Sequence, residues 1–230
     1  MAGSASRCSP KTETLAGISL ALVSTPIAIH QRSYETEAFD EGDGTMRIVG
    51  RLVDTKPEGL GLADGEPIVI HDMTIELIVD GETFQIHDVR PVMDVHPYGQ
   101  CTNILDAYRQ LIGESIARGY SRKVKELFGG PNGCSHVGAL LIALGPVAIQ
   151  ASWGMARLGA DPADWSQVEF DPEDAERQLR LNENTCHVWN SDGSQIALLR
   201  KGEKPVRPTW ETDRLVKLGL IDQPVEGRPD

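Results

Sequence analysis

Thr45-Met46-Arg47-Ile48-Val49-Gly50-Arg51-Leu52-Val53-Asp54 decides the fold. Met46, Ile48, Gly50 and Leu52 alternate with Arg47, Val49 and Arg51, the period of two that a strand with one buried face requires. Ser33 to Phe39 lies on the other side of the turn-rich run Asp40-Glu41-Gly42-Asp43-Gly44, so the two segments read as a β-hairpin. After a Pro/Gly-rich loop through Lys56-Pro57-Glu58-Gly59, His71 to Asp80 and Thr83 to Val89 flank the tight-turn pair Asp80-Gly81 as a second hairpin.

Beyond Pro97-Tyr98-Gly99 the period lengthens to about 3.6, with Ile104, Leu105, Tyr108, Leu111, Ile112 and Ile116 on one face and Cys101 in the first turn. Ser121 caps a short helix over Arg122 to Phe128 that stops at Gly129-Gly130. Cys134 and His136 open a third, apolar helix, bent or broken at Pro146. Asp171-Pro172-Glu173-Asp174 carries the acidic, proline-first signature of a helix start running to Arg180. Cys186 to Trp189 and Gln195 to Arg200 flank Asp192-Gly193 as a third hairpin, and Pro208 to Leu220 forms a last helix. The expected fold is α+β, an antiparallel sheet of hairpins packed against several helices. Residues 1–14 read as a flexible tail and 15–222 as one domain, with a metal-site core over 68–158 and a hairpin-and-helix extension over 170–222.

Composition narrows the function classes. A net charge of −12 and a pI near 4.9 argue against binding phosphate backbones, which needs a cationic surface. The most apolar stretch, Val137 to Ala151, is 15 residues long and contains Gly145-Pro146, short of the roughly 20 that span a bilayer. It reads as a buried helix, hydrophobic enough to sit between two copies of the chain; a homodimer and burial within one subunit explain it equally. Leu15 to Ile29 is apolar but follows Glu13 rather than a basic stretch, which argues against secretion. With four cysteines in 230 residues the chain is no disulfide scaffold, and a reduced, cytoplasmic setting is expected.

No phosphate-binding glycine loop, nucleophile elbow or dinucleotide fingerprint occurs. The residues that name a chemistry are His71-Asp72, Cys101, Cys134-Ser135-His136 and Cys186-His187. Thiolate and neutral imidazole suit zinc or iron. Cys134 and His136, one residue apart at a helix start, reach one ion while the chain is still turning, and the helix terminus favours the thiolate. Asp72 is a ligand, a base or the carboxylate that orients His71. Of Cys186-His187 only one residue reaches a shared site if both lie on a strand. Tyr98 and Lys56 are candidate donors to a substrate oxygen. Each residue also has an ordinary reading, since free cysteines are commonly buried fillers and histidines commonly make plain hydrogen bonds. His96, in a loop, is the best of the other histidines for a substrate role; His30 ends an apolar strand and His87 lies within a strand.

Val49-Gly50-Arg51-Leu52-Val53-Asp54-Thr55-Lys56-Pro57, Ile70-His71-Asp72-Met73, Cys101, Gly133-Cys134-Ser135-His136 and Cys186-His187 together resemble the bacterial family catalogued as domain of unknown function 2889, over Ser33 to Lys201. Ser135 stands where threonine is more usual in that family. The order of Asp72-Met73, an alternating strand, its partner, Cys101 and then Cys134-Ser135-His136 is also similar to U-type iron–sulfur cluster scaffold proteins. That resemblance implies Asp72, Cys101, Cys134 and His136 as ligands, although His71 replaces a cysteine and the last pair departs from His-Cys. Fewer thiolates suit a catalytic ion with an open position better than a cluster. The chain further looks like the γ-formaldehyde lyases that act on phenylcoumaran-type lignin dimers. This resemblance implies a zinc ion, or alternatively iron, that binds a primary alcohol of a small aromatic substrate, with Asp72 or His71 as base. Tyr98 or Lys56 would stabilise the phenolate that leaves. A metal or cluster carrier and a structural zinc domain are the alternatives. Cys101, Cys134 and His136 are the expected centre, His71 and Asp72 join it, and His187 is an optional ligand.

Overall fold

The alternating residues Met46, Ile48 and Leu52 lie fully buried on one face of strand β2 (Thr45–Lys56). β1 (Gln31–Asp40), β2, β3 (Ile68–Asp80) and β4 (Ile86–Val95) form one antiparallel sheet in chain order, each strand hydrogen-bonded to the next. This computed structural model describes residues 26–60, 65–159, 172–203 and 208–221; the expected tail lies outside them. The fold is α+β, a four-stranded antiparallel sheet carrying helices. Pro91 sits in β4, an edge strand, where a residue without an N–H costs no ladder bond on the open side.

One face of the sheet is covered. Helix α2 (Ser135–Met155) crosses β1, β2 and β3, and a 3-10 helix over Gly99–Leu111 packs on β4. Helix α1 (Tyr120–Phe128) packs beside α2. Gly50 sets how closely α2 approaches: a Cβ there would stand 2.7 Å from Leu144 Cδ2 and 3.0 Å from Leu140 Cδ1, both in the buried core. The opposite face carries cross-strand ion pairs, Arg51 with Asp72 and Arg90 with Glu76.

Helix α2 runs through Pro146 to Met155 instead of ending there, and Pro146 is exposed. The carbonyl it leaves unpaired one turn earlier belongs to Ile142, which is partly exposed and so within reach of water. At 21 residues α2 is, among the described residues, long and apolar enough by length and composition to cross a membrane. In this fold Val137, Leu140, Leu141, Leu144 and Ala148 are buried in the core.

Four local expectations are corrected. Helix α1 begins at Tyr120 behind Gly119, with no side-chain cap, so Ser121 lies inside its first turn rather than capping it. The helix after Tyr98 is 3-10, and Leu105, Tyr108 and Leu111 follow its period of three; it ends at Leu111, which leaves Ile112 exposed and lets the following loop bury Ile116. The third hairpin does not form: turns lead into a helix over Ser194–Arg200 whose buried residues, Ile196 and Leu199, are three apart, a helical spacing. Residues 26–30 carry no strand, so His30 precedes β1 rather than ending a strand. Helices Pro172–Asn182 and Thr209–Lys217 stand where helices were expected, while Asp171 lies outside the described residues. Arg118 Nη2 donates to the Glu183 carbonyl at 2.6 Å and ties the C-terminal part to the segment before α1.

Candidate metal centre

Asp54 continues the buried face of β2 beyond Leu52 and is 1 % exposed. A carboxylate taken out of water must be paired. Its partners come from the sheet register: Arg32 of β1 and His71 of β3 lie directly across from it on either side. Arg32 Nε donates to Oδ1 at 2.6 Å and Nη2 to Oδ2 at 2.7 Å. His71 Nδ1 lies 2.9 Å from Oδ2. His30, just ahead of β1, places Nε2 3.3 Å from Oδ1. From above the sheet, His136 in the first turn of α2 brings Nε2 to 3.4 Å from Oδ2. Oδ2 therefore faces His71, His136 and the Nη2 of Arg32, while Oδ1 faces the Nε of Arg32 and His30.

The aim of His136 is set by a buried phenol. Tyr108, fully buried on the 3-10 helix, accepts a hydrogen bond from the Cys134 N–H at 2.8 Å. Burial pushes the Tyr108 hydroxyl up to about 12, so it stays protonated. Cys134 is the residue before α2, and its carbonyl accepts the Gly138 N–H at 2.8 Å. The Cys134 thiol lies 3.6 Å from His136 Nδ1 and 4.0 Å from Met73 Sδ. One ring nitrogen of His136 thus meets sulfur and the other meets the carboxylate.

The electrostatics favour an ionised carboxylate and a neutral imidazole. The Arg32 hydrogen bond, reinforced by His71, holds the Asp54 carboxyl well below the usual carboxylate range against the opposing effect of burial. Burial, then the nearby His71 and Arg32, lowers the affinity of His136 for a proton. Its ring stacks on His71 with centroids 3.8 Å apart, an arrangement that two imidazolium rings would resist. A positive helix N-terminus acts in the same direction.

Asp54, His71 and His136 fit a metal ion. Their donor atoms all lie within 4.8 Å of one another. Two donors on a tetrahedral zinc, with Zn–N bonds of roughly 2.0–2.1 Å, stand about 3.3 Å apart. The separations of 2.9 and 3.4 Å from Asp54 Oδ2 to the two imidazoles bracket that spacing. Two imidazoles and a carboxylate are also a set used by non-haem iron. The Cys134 contact to the second nitrogen of His136 is the kind of outer hydrogen bond that fixes a ligating ring.

Of the residues expected from the sequence, the fold brings His71 and His136 together with Cys134 beside them. Asp72 points to the opposite face of the sheet, where Arg51 holds it through two hydrogen bonds of 2.8 and 2.6 Å. That pairing lowers its pKa, with the Arg51 hydrogen bond as the main cause. Cys101 packs against the hydrophobic core from the 3-10 helix. Tyr98 is exposed, Lys56 ends β2 and is partly buried, and His187 is exposed in the turns after Asn182. His96 Nδ1 lies against the Tyr98 carbonyl at 2.9 Å. Three members of the cluster, Asp54, Arg32 and His30, were missed; the signal for Asp54 was a charged residue in step with Met46, Ile48 and Leu52 on the apolar face of its strand.

The family described as "Protein of unknown function (DUF2889)" matches residues 30–150, more than half of the chain and a span that takes in every residue around Asp54. No curated protein and no solved structure matches.

Proposed function

The chain belongs to the DUF2889 family, and from there we propose that it is a metal-dependent enzyme whose ion, zinc first and iron second, is held by Asp54, His71 and His136. The observation that carries this reading is the single oxygen Oδ2 of a buried carboxylate within 2.9 Å of one imidazole nitrogen and 3.4 Å of another. Three protein donors leave a tetrahedral ion one position for substrate, the arrangement of catalytic rather than structural sites. The ion's contribution is Lewis acidity toward a substrate hydroxyl.

The specific reaction proposed is release of formaldehyde from an aryl dimer bearing a hydroxymethyl group. His30, at the Oδ1 side of the carboxylate and part-exposed, takes the alcohol proton. The O–H electron pair becomes the C=O of formaldehyde, the broken carbon–carbon bond supplies a new alkene, and the neighbouring aryl ether opens to a phenolate that recovers the proton. The sequence is redox-neutral and needs no further co-reactant. Asp72, already paired with Arg51 on the other face, is less suited to the proton transfer than His30. The carrier alternative has less support, because the clustered donors are nitrogen and oxygen and clusters are held by thiolates.

Elemental analysis tests the ion first. Purified protein stripped with chelator and dialysed against zinc should retain one equivalent, and Asp54→Asn and His136→Gln should retain far less. Absence of stoichiometric metal from the parent refutes the centre. Formaldehyde is then assayed over a panel of hydroxymethyl aryl dimers; a metal-loaded protein that releases none removes the lyase and leaves the centre standing.

A further inference from the structure

We infer that Arg32 is the anion receptor of this site, and that the ligand it recognises is a small aromatic molecule carrying a carboxylate or phenolate oxygen. This rests on the metal-centre reading above. Arg32 forms a two-pronged pair with Asp54, Nε on Oδ1 and Nη2 on Oδ2. Oδ2 is also the oxygen that both imidazoles face. A dication placed at Oδ2 meets the Nη2 prong at close quarters, and two positive groups sharing one oxygen repel. The Nε prong on Oδ1 is free of that conflict. Loading therefore releases Nη2 while Nε keeps the guanidinium anchored beside the ion.

A guanidinium freed on one edge and fixed on the other is suited to a planar oxyanion. Its side chain is 33 % exposed and so lies partly open to solvent. The surroundings give the rest of the ligand. Tyr34 lies two residues along β1 on the same face as Arg32 and is 44 % exposed. Ile29, next to His30, is also an exposed apolar side chain. The Tyr34 ring makes apolar surface on the face that carries the charge, which favours an anion carried on an aromatic ring over a hydrophilic one.

Cobalt-loaded full-length protein gives a readout apart from activity, because a ligand entering next to cobalt changes its visible spectrum. Benzoate is titrated against benzamide, a neutral molecule of the same shape, in the parent and in Arg32→Lys. Benzoate should saturate the change at a concentration lower than benzamide by about tenfold or more, and Arg32→Lys, keeping its cobalt, should weaken benzoate by about the same factor. Equal responses to benzoate and benzamide in the parent overturn the inference even if the variant does not fold. So does a cobalt-loaded Arg32→Lys that binds benzoate as the parent does. A parent that binds no cobalt overturns the metal centre and the inference with it, a result distinct from either of the others.

Discussion

Asp54 meets His71 across the β2–β3 ladder, Oδ2 to Nδ1 at 2.9 Å, at the point where the pairing of the two strands shifts register between Asp54 and Thr55. The irregularity falls at the last buried position of β2, beside the residues that surround the carboxylate.

Asp54→Asn removes the charge while keeping the shape. It leaves the part-exposed Arg32 facing a neutral amide, and loss of a charge-assisted hydrogen-bonded pair of this kind costs about 1.5–3 kcal/mol. Urea unfolding of metal-free protein should show this as a lower midpoint with an unchanged slope. An unaltered midpoint would mean that the Arg32 pair contributes nothing to folding.

Acidification should destabilise the metal-free protein in two stages. His136 has a lowered proton affinity in the fold, so the unfolded chain takes up its proton first, and stability falls as the pH drops below about 6.5. Asp54 is depressed too, so its contribution is complete above about pH 4 and is lost as the pH falls through the more acidic range. His136→Gln should flatten the first stage and spare the second when unfolding free energy is followed against pH.

Tyr108→Phe strips the acceptor from the Cys134 N–H at the start of α2. An unsatisfied buried donor costs about 1–3 kcal/mol. Because His136 is two residues along the same turn, zinc affinity should fall together with stability. Calorimetric titration of zinc separates this from a purely structural loss, in which the folded fraction would bind with parent affinity.

Tyr120→Phe should have the opposite sign. The Tyr120 hydroxyl is buried and has no hydrogen-bond partner among the described residues. Its removal should leave stability unchanged or raise it by up to about 1 kcal/mol, measured as a thermal or urea midpoint.

Gly50→Ala places a methyl group against Leu140 and Leu144. Both leucines are fully buried, so they cannot swing away freely, and overpacking of this kind costs about 1–3 kcal/mol. The urea midpoint should drop, and a crystal structure of the variant should show α2 displaced from β2.

Hydrophobic alternation made the two hairpins legible, because a strand with one wet face writes its period directly into the chain. The site was legible only in halves. His71 and His136 stood out as residue types, whereas Asp54 was hidden by its neighbours and Asp72 was favoured for its adjacency to His71. Strand geometry separates that adjacent pair onto opposite faces and joins His71 to a residue 17 positions earlier. The partner across a ladder depends on loop length and on the shifted register, neither of which has a period to read. The C-terminal hairpin failed for a related reason: Asp192-Gly193 suits a tight turn, but the residues after it bury a helical stripe at Ile196 and Leu199.

The sheet is a meander in which every strand pairs with its neighbour in sequence, so its contacts close over short stretches of chain and should form early in folding. Arg32, Asp54 and His71 would be assembled at that stage, whereas His136 arrives only when α2 docks. The imidazole pair is then the last feature to mature, and an ion bridging it would act as a latch between sheet and helix. Amide exchange along α2 should slow on zinc loading, while exchange in the middle of β2 and β3 should change little.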